Sequence, residues 1–299
     1  MAPKRSASGV IPTVDEPEES ALHIDGGDLP TGLGGGRSRR RWTRALASLV
    51  FVLAWVGAGV LLVPHDPNAI DLARTSLEPG PGNLLGTDRL GRDVLSRLLA
   101  GGAWSVSIAL AAAAISCGTG LGLGSVAGFG GRGGVLVDRA VDVATSVPML
   151  FVAIALQAAL PQGVAAMVAV LALAGWPAVT RIIRAEVAVA ALAQHVEAAR
   201  ALGCSHARVV WRHILPHCAG AATAAFTVGF GEALLLQSTL TFLGLGLPPS
   251  VVTWGGMLQE AAVELAGGAW WRVVLPGLAI VGTTALVGGL SRRLAAIGG

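Results

Sequence analysis

The chain has 299 residues, of which 53% are hydrophobic and only 13% charged, and its mean hydropathy is +0.67. A soluble globular domain carries about 25% charged residues, so a fully water-facing surface is excluded and lipid must be the main solvent. The net charge of +3 comes almost wholly from arginine, and the basic residues lie between apolar runs, not clustered on a soluble domain as in a nucleic-acid binder.

Residues 1–44 are rich in Pro, Gly, Ser and charge, with an acidic stretch from Asp15 to Asp28 followed by Arg37, Arg39, Arg40, Arg41 and Arg44. Such a segment has too little apolar surface to offset its ordering entropy, which predicts a disordered tail. Six apolar runs follow, at 45–63, 103–128, 140–160, 163–183, 218–247 and 270–290. At 1.5 Å per residue the first spans roughly 28 Å, close to the hydrocarbon thickness of a bilayer. It is too long for a signal peptide and no small-residue cleavage site follows, so it reads as a retained helix. The pattern predicts an all-α integral membrane protein with six transmembrane helices, the first at 45–63 and five more within a core at 103–293.

An even number of spans puts both termini on one side. If that side is the cytoplasm, it collects all of the 21 basic residues except Arg74, Arg89, Arg92, Arg97 and Arg272, as the positive-inside tendency requires. An extracytoplasmic loop at 64–102 and a cytoplasmic loop at 184–217 follow. In the outer loop, Leu90, Val94, Leu95, Leu98 and Leu99 have helical spacing. They predict a short amphipathic helix, either lying at the interface or packed on the bundle. On the second run, Ala112, Ser116, Gly120, Gly124 and Gly128 recur every four residues, and small residues so spaced let helices pack closely in lipid. Pro148 and Pro177 are expected to kink the third and fourth runs.

The cytoplasmic loop reads Glu197-Ala198-Ala199-Arg200-Ala201-Leu202-Gly203, then nine residues, then His213-Ile214-Leu215-Pro216. Glu-Ala-Ala-Arg-Ala-Leu is strong helix-forming sequence, Gly203 supplies a conformation that stops it, and Pro216 suits the start of the fifth span. A short helix at about 195–203 is predicted at the membrane surface, with small Ala198 and Ala199 allowing another protein to approach. These residues resemble the loop by which permease subunits of ABC importers dock on their ATPase subunits: Glu197, Ala198, Ala199, Gly203, Leu215 and Pro216 match, and His213 stands in the place of an Ile. Leu85-Gly86-Thr87-Asp88-Arg89-Leu90-Gly91-Arg92-Asp93-Val94, Phe242-Leu243-Gly244-Leu245-Gly246 and Trp254-Gly255-Gly256-Met257-Leu258 are similar to the peptide/nickel permease family, in particular its C-type dipeptide and oligopeptide subunits. Gln237 stands where that family has an acidic residue, and Gly256 where it has a polar one.

The resemblance implies half of a translocation pathway, completed by a second, homologous permease chain. It also implies two ATPase subunits that use ATP and Mg²⁺, an extracytoplasmic substrate-binding protein, and alternating access driven by nucleotide. Di- or oligopeptides are the implied cargo, with nickel chelates or glutathione as the alternative. This chain has no GxxxxGK[ST] loop, its single lysine being Lys4 in the tail, so it is not expected to bind ATP or to be an enzyme, and no cofactor is expected on it. The cysteines Cys117, Cys204 and Cys218 form no CxxC pattern and predict neither a disulfide framework nor a zinc site. His213 and His217 share a helical spacing, but Pro216 interrupts the helix and no carboxylate is adjacent. A carboxylate within a span is costly unless it faces a polar path or is paired, which singles out Glu232, with Gln237 nearby, as lining a pathway or as a structural hydrogen-bonding group. A stand-alone secondary transporter or channel, the competing class, would carry more intramembrane carboxylates and often an internal repeat.

Overall fold

A computed structural model describes Gly57, residues 63–263 and residues 268–296; the expected tail at 1–44 and nearly all of the expected first span at 45–63 lie outside them. The described residues are helical, with two isolated bridges and no longer strand. In chain order the helices are α1 (Val94–Gly128), α2 (Gly131–Ser146), α3 (Met149–Ala159), α4 (Val164–Ala190), α5 (Gln194–Ala201), α6 (His206–Val209), α7 (Ala219–Phe242), α8 (Trp254–Ala262) and α9 (Trp271–Ala296). Four of them (α1, α4, α7 and α9) are long and apolar enough to cross a bilayer, and the bent pair α2–α3 makes a fifth if it counts as one span.

Three expectations change. The stretch expected as a separate amphipathic helix in 64–102 is instead the opening of α1, which starts at Val94 because the Asp93 carboxylate caps it, accepting from Ser96 N–H at 2.8 Å. The outer loop therefore ends at residue 93, and its remaining helical element is a single 3-10 turn at Leu72–Arg74. The run at 140–160 is broken, not kinked: α2 and α3 meet at 82°. Val147, held extended at φ −109° and ψ 135° before Pro148, is the residue whose helical conformation the proline ring disfavours. Pro177 sits buried inside an unbroken α4. Helices α1, α4 and α9 are also longer than their apolar runs, whereas α7 is shorter than its run. At 1.5 Å per residue the 35 residues of α1 reach about 52 Å, more than a hydrocarbon core, so α1 projects into the aqueous phase or tilts.

The bundle is held by close approach. Along the α1–α4 seam, a Cβ built on Gly120, Gly124 or Gly128 would come within 2.5, 2.7 and 2.6 Å of Val179, Ile183 and Val187. The four-residue glycine step of α1 thus meets a four-residue β-branched step of α4. Ser116 Oγ lies in the same seam and donates to Ala172 O at 3.0 Å. Lipid gives helices no hydrophobic reason to associate, so this interlocking is the main attraction. One buried cluster includes Ile108, Met167, Phe230, Leu234, Leu240 and Trp254; a second gathers Val179, Ile183 and Val187 with Val196, Val209, Ile214 and Cys218.

Contacts between loops sort the connections onto two ends. Gly163 N–H donates to Gly246 O at 2.8 Å, Asn68 Nδ2 to Ser250 O at 3.2 Å and Trp271 Nε1 to Leu85 O at 3.2 Å. Residues 63–93, the α3–α4 turn and the α7–α9 connection therefore share one end. The α4–α7 connection lies at the other, as the alternation of spans requires.

Candidate functional site

The α4–α7 connection forms a folded platform. Its first helix, α5, is amphipathic on a small scale: Val196 and Ala199 are buried in the second core cluster, while Glu197, Ala198, Ala201 and Leu202 face outward. This corrects the expectation that Glu197, Ala198 and Ala199 all offer themselves to a partner. Ala199 packs against its own bundle, because residues three apart on a helix share a face with Val196.

Gly203 ends the helix at φ +80°. Cys204 N–H reaches Ala199 O at 3.1 Å, the six-to-one bond of a Schellman cap. A Cβ at Gly203 would meet nothing within 4 Å, so the need for glycine there is conformational, not steric. Helix α6 then passes into a π-helical turn at Val210–Ile214, and Leu215 N–H bonds Val210 O at 2.9 Å. Such turns recur at functional positions. Leu215 is half-buried and Pro216 exposed, leading into α7. Exposed Leu202 and Trp211, 85% and 75% accessible, give the platform an apolar outer face. The side chain of His213 lies outside the described residues. Among the described residues, no group of three or more His, Cys, Asp or Glu side chains is placed to hold a metal ion.

The opposite end carries a second organised region that sequence reasoning missed. Residues 63–93 fold into a cap on α1, α8 and the start of α9. Asp88 accepts from the backbone N–H groups of Leu90 and Arg92 at 2.8 and 3.0 Å, and from Arg92 Nε at 2.6 Å. Arg92 Nη2 also donates to Glu260 Oε2 at 2.7 Å, and Arg97 Nη2 to both Glu260 oxygens at 3.1 and 2.9 Å. Gly91, at φ +75°, sits so close that a Cβ would collide with the Asp71 carbonyl. Burial alone would push the Asp93 carboxyl up, but hydrogen bonds from Ser96 Oγ, Asn83 Nδ2 and Ser96 N–H, with the nearby His65, outweigh it and hold it below the usual carboxylate range. The signal was present in Gly86-Thr87-Asp88 and Gly91-Arg92-Asp93, but Glu260 lies more than 160 residues away and could not be paired with them.

Residues 120–296 match the family model described as "Binding-protein-dependent transport system inner membrane component". The chain belongs to this family. It is thus an inner-membrane permease of the ABC importer class, as the cytoplasmic-loop motif implied. A di/tripeptide transport system permease protein of Pseudomonas aeruginosa (strain UCBPP-PA14) is 37% identical over 247 residues, covering 79% of this chain and 81% of its own. A dipeptide transport system permease protein of Bacillus subtilis (strain 168) is 31% identical over 233 residues, covering 78% and 73%. A crystal structure of an amino acid ABC transporter with histidines is 18% identical and matches 68% of this chain and 93% of its own at a TM-score of 0.49.

In this permease the two polar residues expected to share a pathway part company. Glu232 is exposed on α7, whereas Gln237 is 0% exposed, buried inside the chain. Five residues turn a helix by about 500°, which puts them roughly 140° apart. Glu232 thus lies on the open surface of this chain, while Gln237 points into its interior. Neither amide atom of Gln237 has a hydrogen-bond partner among the described residues.

Proposed function

We propose that this permease forms half of a peptide-conducting pathway, for di- or oligopeptides, in the inner membrane of a bacterium. In this reading six helices cross the membrane, the first at 45–63 after a cytoplasmic tail at 1–44, with five in the core from Val94 to Ala296. Both termini and the 184–217 loop are cytoplasmic, and the cap is extracytoplasmic. A second, homologous permease chain completes the pathway, with Glu232 facing it. Two ATPase subunits use ATP and Mg²⁺, an extracytoplasmic binding protein delivers the cargo, and this chain itself catalyses nothing.

Helix α5 is the coupling helix. It is seated on the bundle through Val196 and Ala199, with Glu197 and Ala198 outward and Gly203 turning the chain back at positive φ. That arrangement carries the reading, because a helix anchored on its inner face and bare on its outer face can transmit a push from a neighbour to α4 and α7. Leu215 and Pro216 complete the platform by fixing where α7 begins. ATP-driven closure of the ATPase pair then biases the bundle between two packings. The cargo rests on the relatives, whose names specify peptides.

The test uses Ala198→Trp, which adds bulk to the exposed face, and Gly203→Val, which strains the turn by about 1–3 kcal/mol. Both should insert normally yet lose peptide uptake, with the ATPase subunits no longer co-purifying or no longer stimulated by loaded binding protein. Full ATPase retention with undiminished uptake in both variants would refute the coupling role. Binding of other solutes but no peptide by the cognate binding protein would refute the cargo.

A further inference from the structure

We propose that Glu260 is a positioning residue for transport: an ionic latch that makes the outer cap, the first turns of α1 and helix α8 move as one body. The inference rests on the transporter reading above and concerns a residue to which that reading gives no role.

One carboxylate, at the end of α8, closes a circuit with two arginines from a distant part of the chain. Arg92 and Arg97 are 9% and 4% exposed, and Glu260 and Asp88 are the carboxylates that receive them. If α8 slid away from the cap, two buried guanidinium groups would be left to share Asp88. A buried charge stripped of its partner is among the costliest defects a fold can carry, so the circuit resists relative motion at this point more than at any apolar contact. The neighbouring bonds run the same way. Trp254, which begins α8, donates its N–H to Ser105 Oγ at 3.1 Å and its indole N–H to Leu98 O at 2.9 Å, tying the other end of α8 to α1. Asn68 and Trp271 bind the cap to the segment before α8 and to the start of α9. A cavity of about 20 Å³, lined in part by Asp88, Arg97, Glu260 and Arg272, has room for about one water molecule beside the circuit and not for a solute. The arrangement is therefore a clamp, not a binding site. Its consequence is that the outer ends of α1, α8 and α9 keep their spacing while the bundle changes shape elsewhere.

The experiment places spin labels at exposed Leu84 in the cap and exposed Val263 after α8, in the assembled transporter in lipid nanodiscs with the three native cysteines replaced. Distances are measured without nucleotide and in an ATP-trapped state. The two distributions should superimpose in the otherwise unmutated protein. They should broaden in E260A, with loss of binding-protein-stimulated ATP hydrolysis and unchanged basal hydrolysis. E260Q keeps one acceptor oxygen and should fall between them; it replaces E260A in the comparison if that variant does not assemble. A shift between the two nucleotide states, or a distribution as narrow in the variant as in the parent, would overturn the latch. ATPase co-purification from the same samples reports separately on the coupling role of α5.

Discussion

Replacing Gly124 by Ala adds one methyl group at the tightest kind of helix contact. That Cβ would sit 2.7 Å from Ile183 Cβ, 2.9 Å from Ile183 Cγ2 and 2.9 Å from Thr180 O, where ordinary carbon contacts lie at about 3.5–4.0 Å. Ile183 Cβ and Thr180 O are fixed to the α4 backbone, so no rotamer change removes the clash. The helices must part by on the order of 1 Å, which also loosens the contacts at Gly120 and Gly128. Overpacking of this kind costs about 1–3 kcal/mol, against about 1 kcal/mol gained from replacing a mid-helix glycine. The net expectation is a loss of up to about 2 kcal/mol. Gly122, two residues earlier on the same helix, has nothing within 4 Å of its built Cβ, so Gly122→Ala should collect only the gain. The same substitution should thus have opposite signs at the two positions. Ile183→Val should not rescue Gly124→Ala, since Val keeps the Cβ. Thermal unfolding of the purified complex in detergent, followed by helical signal, measures all four variants. A Gly124→Ala protein as stable as its parent, or a more damaging Gly122→Ala, would refute the account of the seam.

Gln237→Leu should be neutral or stabilising by about 1–3 kcal/mol, because it removes a buried amide without partners among the described residues while roughly keeping its volume; reduced uptake at normal assembly would instead return Gln237 to the pathway. The Asp93 carboxyl, with its depressed folded pKa, contributes stability that is fully present above its unfolded value of about 3.9 and lost as pH falls through the lower folded value. Amide exchange at Ser96 should therefore stay slow down to about pH 4 and quicken below it, and in Asp93→Asn this acid step should be absent. Glu232→Gln should lower uptake without loss of assembly, as measured by vesicle transport.

The sequence by itself decided the class of the molecule and its main packing motif. Charge scarcity and apolar runs long enough to cross a bilayer need no tertiary information, because lipid acts on each span separately. The glycine step on α1 was legible because residues four apart share a helical face, and Gly203 because a helix stop is a local matter. Family membership was legible in the Glu197–Gly203 spacing for the same reason. What the sequence could not decide was relational. The direction in which α5 presents its residues depends on the second core cluster, so Ala199 looked as available as Ala198 until Val196 was seen buried beside it. Gln237 and Glu232 were neighbours in the chain but not on the helix surface, and only packing decides which face of an apolar span is inside. The break at Pro148 was sharper than a kink because Val147, before the proline, is held extended. The cap's charges found their partner through contacts spanning more than 160 residues, and no local pattern announces such a pairing. Long-range electrostatic partners and the facing of apolar spans belong to the tertiary structure, since both are set by what the rest of the chain brings alongside.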